Sequence, residues 1–174
     1  MAVDGCPHTF DELANTVLPA YMERLKTRIA APIPMSEFAV RGDGPKTLAS
    51  RHGFVGDVGG CYVLLDQGKP VYVGISRKVF TRLKQHVGKG DHLTATLAYR
   101  MANHECPHGT FAATAMADPD FRALFDNKRA HLLELDVAIV EIENPLELYV
   151  FEAYCALELN TSFCNGGWNT FITH

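Results

Sequence analysis

Cys61-Tyr-Val-Leu-Leu65 and Val71-Tyr-Val-Gly-Ile75, joined by Asp66-Gln-Gly-Lys-Pro70, decide how this chain is read. Both runs are built from β-branched, aromatic and other apolar residues that suit a pleated, half-buried surface, and the residues between them are turn formers of hairpin length. Working outward, 77–87 carries Val79, Leu83 and Val87 one helical turn apart, which predicts a helix, and 92–102 predicts another. Further on, Asp118 opens a helix over 118–130 with Phe121, Leu124 and Phe125 on one face. A third strand follows over 135–142, and Asn144-Pro145 opens a last helix to Leu159. Upstream, Leu13, Val17, Leu18, Tyr21, Leu25 and Ile29 recur at near-helical spacing, with Thr9 and Glu12 placed as a capping box. Between them, 31–60 holds Pro32, Pro34, Pro45 and six glycines, which predicts a loop-rich connector with little regular structure. The expected fold is α+β: a small mixed or antiparallel sheet of about three strands flanked by helices.

The 174 residues are 47% apolar and 21% charged, enough for one compact domain. No apolar run approaches the roughly 20 residues of a membrane helix, and residues 1–10 lack a basic stretch with a small-residue cleavage site, so a cytoplasmic protein without a membrane partner is expected. Five cysteines, an odd number spread along the chain, fit free thiols better than a disulfide framework. The net charge of −4 argues against indiscriminate coating of nucleic acid, but the charge is segregated. Residues 61–100 hold seven Lys or Arg against two acids, whereas 131–174 hold seven acids and no Lys or Arg. One face could therefore attract a polyanion.

Tyr62 and Tyr72 lie on the paired runs, and Gly74 ends the second, where a backbone without Cβ permits close approach. Arg82 and His86, four residues apart, share a helix face. Glu152 falls among Val150, Phe151, Ala153, Tyr154 and Ala156, a setting in which a carboxylate needs a metal or a hydrogen-bonded partner.

In this order the residues resemble the GIY-YIG nuclease family. The first signature stands as Gly60-Cys61-Tyr62 and the second as Tyr72-Val73-Gly74, followed by Arg82, His86 and the late-helix Glu152. The tail Trp168-Asn169-Thr-Phe-Ile-Thr-His174 is similar to the asparagine-bearing close of stand-alone bacterial members; Asn165 competes with Asn169, and the aromatic before Asn169 favours the latter. Cys61 replaces the usual branched apolar residue. The likeness spans 59–174, with a long insertion at about 88–135, and leaves 1–58 as an N-terminal helix and loop-rich extension.

The resemblance implies a metal-dependent DNA endonuclease. It assigns Tyr62 as base, Tyr72 as phosphate-positioning donor, Arg82 as clamp, His86 as proton relay, Asn169 as orienting group and Glu152 as the protein ligand of Mg²⁺ or Mn²⁺. Which tyrosine is the base stays open. Gly74, Arg77, Lys78, Lys84 and Lys89 are the expected phosphate-binding positions. A non-catalytic nucleic-acid-binding or protein-interaction module that keeps the fold is the alternative. His104-Glu-Cys-Pro-His108 gathers zinc-type ligands, as does Cys6-Pro-His8, but without paired metal-ligand spacing.

Overall fold

The computed structural model describes residues 3–88, 90–109 and 111–171. The chain opens with α1 (Phe10–Glu12), whose capping box forms as expected: the Thr9 hydroxyl accepts from the Glu12 N–H, and the Glu12 carboxylate accepts from the Thr9 N–H at 2.7 Å. A π-helical turn over Leu13–Val17 leads into α2 (Leu18–Ile29). Pro19 has no N–H to return to the Asn15 carbonyl, which is where the helix widens.

The connector is more ordered than its prolines and glycines suggest. It forms β1 (Ile33–Pro34), a 3-10 turn (Met35–Ala39) and α3 (Pro45–Arg51). Pro45 takes the start of α3 and Pro34 an edge strand, positions where a missing N–H costs little. Met35, Phe38 and Leu48 are fully buried, so this segment is part of the core.

The hairpin is β2 (Gly60–Asp66) and β3 (Lys69–Ser76), turned by Gln67 and Gly68, both with positive φ as a two-residue primed turn requires. Then come α4 (Val79–Val87), α5 (Thr96–Glu105), α6 (Ala112–Ala115), α7 (Pro119–Leu132), β4 (Asp136–Glu141) and α8 (Pro145–Glu158). Helix α4 starts two residues later than its periodicity suggests. The expected N-caps hold: Asp118 accepts from the Asp120 N–H at 2.9 Å, and Asn144 accepts from the Leu146 N–H at 2.9 Å.

The protein is α+β, and its sheet is antiparallel with order β1-β4-β2-β3. Among the described residues there are four strands rather than three, because two residues of the connector pair with Val137 and Asp136. Alternation along β2 divides the interior. Tyr62 and Leu64 face one core with α3, α4, α5 and α7, whereas Cys61, Val63 and Leu65 face a second core with α2 and α8. Residues from the N-terminal segment contribute to both. Among the described residues no helix is long and apolar enough to cross a membrane.

Candidate functional site

Strands β2 and β3 and helix α4 bring the two tyrosines and His86 together. The Tyr62 hydroxyl lies 2.8 Å from His86 Nε2, with ring centroids 5.8 Å apart, and the Tyr62 and Tyr72 rings are 6.1 Å apart. Gly74 sits directly across the hairpin from Tyr62. A Cβ there would stand 2.6 Å from the Tyr62 hydroxyl and 2.8 Å from Tyr72 Cε1, so glycine is what lets the rings meet over the strand. At Gly60 a Cβ would come within 2.2 Å of the Val140 carbonyl oxygen; this glycine admits β4.

The start of α4 is fixed from a distance. Asp57 accepts from the Phe80 N–H at 2.8 Å and from the Thr81 hydroxyl at 2.6 Å. That anchor sets the register that brings Arg82 and His86, one turn apart, toward the tyrosines. Arg82 donates to the Thr94 carbonyl at 3.0 Å and to the Thr96 hydroxyl, so the inserted region ahead of α5 holds the guanidinium in place.

Burial controls the electrostatics. It pushes the Tyr62 phenol well up, helped by the neighbouring Tyr72 and opposed by Arg82. Burial also raises Tyr72, with Arg100 the strongest opposing charge. His86 is fully buried beside the Arg82 charge, and its pKa falls to about 3, so the imidazole is neutral at pH 7. Its Nδ1 has no hydrogen-bond partner among the described residues. The Tyr62 hydroxyl and His86 Nε2 share one hydrogen bond, whose direction follows the imidazole tautomer.

Glu152, on α8, is half-buried, and its carboxyl is raised by that burial while Arg100 pulls it down. Its charge is felt at Tyr72 and at the Cys61 thiol. No hydrogen bond or ion pair engages its carboxylate among the described residues. The more deeply buried Glu147 differs: the Tyr21 hydroxyl donates to it at 2.6 Å and His8 lies 3.8 Å away, so it is already satisfied.

Asn169 acts on the backbone. Its Oδ1 accepts from the Val73 N–H at 2.7 Å and from the Thr161 hydroxyl at 2.8 Å, and its Nδ2 donates to the Val73 carbonyl at 2.7 Å. It thereby pins the strand that carries Tyr72 and Gly74. Asn165 instead bonds Asn160 and Ser162 at the surface. Of the tail quoted with it, residues 172–174 lie outside the described residues.

The expected phosphate-binding set divides. Arg77 and Lys78 are exposed at the β3–α4 junction. Lys84 turns to the connector, donating to the Phe38 carbonyl at 3.2 Å and lying 3.5 Å from that of Val40. Lys89 lies outside the described residues. Within the His104-to-His108 stretch, His104 stacks on Phe163 at 4.1 Å, Cys106 is exposed and His108 lies 3.6 Å from Asp118. Among the described residues no group of three His, Cys, Asp or Glu is arranged to hold a metal.

Sequence reasoning missed Arg100, Asp57 and Thr161. Arg100 was visible only as one cation of the basic segment; the other two act over 8 to 24 residues of separation, with no local motif to mark them. No family model, curated protein or solved structure matches this chain.

Proposed function

We propose that the protein is a metal-dependent DNA endonuclease of the GIY-YIG type, hydrolysing phosphodiester bonds at the cluster of Tyr62, Tyr72, Arg82, His86, Arg100 and Glu152. The observation that carries this reading is the Tyr62–His86 contact of 2.8 Å beside Arg82, made by residues that the fold has to gather from a strand and a helix. Tyr62 is the base. Burial keeps it protonated in the resting protein, so it acts once its phenolic proton passes to the His86 imidazole, with the Arg82 guanidinium favouring the phenolate. His86, neutral with its pKa near 3, hydrogen-bonds the Tyr62 hydroxyl and serves as the relay for its proton. The Tyr72 hydroxyl positions a phosphate oxygen, and Arg100 and Arg82 balance its charge. Asn169 holds β3, so its effect on the reaction is indirect.

Glu152 is the residue that would hold Mg²⁺ or Mn²⁺, with water and substrate phosphate supplying other oxygens. A partly buried carboxylate without a hydrogen-bond partner among the described residues fits that use, since a hard divalent cation offsets the cost of its charge. When bound, such an ion neutralises phosphate charge and assists departure of the leaving oxygen.

The burial of Tyr62, at 1% exposure, favours a second reading in which the pair with His86 is a core hydrogen bond of a non-catalytic module. Plasmid nicking and linearisation with and without Mg²⁺ or Mn²⁺ separate the two. We expect metal-dependent cutting by the parent, none by Glu152→Gln or Tyr62→Phe, and slow cutting by Tyr72→Phe, about 10²- to 10³-fold below the parent for the loss of one preorganised donor. A parent that cuts neither plasmid nor branched DNA with either metal removes the enzymatic reading.

A further inference from the structure

Beside the cluster, β3 and the start of α8 enclose a groove of about 600 Å³, within the usual range for ligand sites. Ile75, Leu148 and Pro145 give it an apolar floor, with Tyr149 and Arg77 at its rim and Glu143 also lining it. Tyr149 is 64% exposed, and Arg77 makes no ion pair or side-chain hydrogen bond among the described residues. Tyr149 lies three residues before Glu152 on α8, so the two are neighbours on the helix surface.

The edge of β3 carries a second clue. Val73 points its N–H and C=O away from β2, and the Asn169 carboxamide takes both at 2.7 Å, donor against acceptor. Antiparallel alternation turns Ile75, two residues on, the same way, and no loop or side chain of the described residues occupies its outward N–H and C=O. A nucleobase edge offers the same adjacent donor and acceptor as a carboxamide: N6–H and N1 of adenine, N4–H and N3 of cytosine.

We infer that this groove takes one unpaired nucleobase of the substrate strand, its edge on the Ile75 backbone and its face on Tyr149, with Arg77 on the adjoining phosphate. The inference rests on the nuclease reading for its substrate class. It makes Tyr149 a positioning residue that favours strands with an unstacked nucleotide next to the scissile phosphate.

The test is anisotropy of a fluorescein-labelled single-stranded DNA oligonucleotide with the full chain in EDTA, where no cleavage occurs. A strand of abasic residues with the same number of phosphates is run in parallel. Tyr149→Ala should weaken binding of the base-bearing strand by about tenfold, as expected for one lost stacking platform, whereas Tyr149→Phe should bind as the parent does. The abasic strand should bind the parent more weakly and should not distinguish the variants. Equal affinity of parent and Tyr149→Ala for the base-bearing strand, equal parental affinity for the two strands, or binding of neither strand would overturn the groove assignment. Plasmid cleavage with Mg²⁺, measured separately, keeps its failure distinct. Base-dependent binding through Tyr149 without cutting would sink the nuclease and keep the groove, and cutting without it would do the reverse.

Discussion

Replacing Gly74 by Ala tests the packing at the centre of the site without reference to any reaction. The added Cβ would stand 2.6 Å from both Cζ and the hydroxyl of Tyr62 and 2.8 Å from Tyr72 Cε1. Ordinary carbon contacts lie at about 3.5–4.0 Å, so both rings must retreat by about 1 Å. Tyr62 has little room to do so, being 1% exposed between its strand and α4, and any retreat works against its 2.8 Å contact with His86. Overpacking costs about 1–3 kcal/mol, and a weakened buried hydrogen bond adds about 1–2. Removing a strand glycine returns about 0.4–1 kcal/mol through the unfolded chain, too little to reverse the sign. The net loss of about 2–4 kcal/mol corresponds to a Tm lower by about 5–15 °C in a chain of this size. Thermal unfolding followed by circular dichroism reads it, with Gly59→Ala as the comparison, since that Cβ makes only ordinary contacts at 3.6–3.8 Å. If Gly74→Ala melts with the parent while Gly59→Ala does too, the close approach of the tyrosines over Gly74 is wrong.

Glu152 has a folded-state pKa above its unfolded value, so its charge costs stability at neutral pH; the cost fades as pH falls through the raised folded value and is gone below the unfolded value of about 4. Glu152→Gln should therefore melt at or above the parental temperature at pH 7 and match it in acid; a lower Tm at pH 7 contradicts this. His86 has the opposite sign of proton linkage: its folded pKa is depressed to about 3, so the stability it contributes is complete above about pH 6.5 and is lost as pH falls toward about 3. A His86→Phe variant should show a flatter loss of Tm across that window, and an unchanged slope would remove His86 from acid unfolding. Lys84→Ala should lower Tm modestly by freeing the connector carbonyls, while leaving the salt dependence of DNA binding unchanged. Arg77→Ala should flatten the log–log salt slope by up to about one unit.

The hairpin was legible because composition, alternation and turn chemistry coincide over Cys61 to Ile75. Caps at Thr9, Asp118 and Asn144 were legible for the same local reason. The connector was not: its prolines and glycines read as breakers, whereas they occupy helix starts, an edge strand and left-handed turns that need them. β1 is two residues long and carries no period to detect. The onset of α4 belongs to Asp57, which lies more than 20 residues upstream of the N–H groups it accepts from. Within the site, Tyr62, Tyr72, Arg82, His86 and Glu152 could be picked out as candidates, but spacing could not tell Arg100, whose charge acts on Glu152, from Lys84, which donates to two connector carbonyls.

The way β3 ends the sheet bears on the protein's behaviour in a crowded cell. An outer strand with open N–H and C=O groups is a template on which another chain can add a strand. Here three hydrogen bonds between Trp168 and Asn169 and the backbone of Val71 and Val73 occupy much of that template, and at the opposite side the sheet stops at a two-residue strand ending in Pro34. Proteolytic clipping beyond Thr161 would strip the first of these stoppers. With β3 uncovered, the nicked protein should self-associate through that strand into dimers and then aggregates.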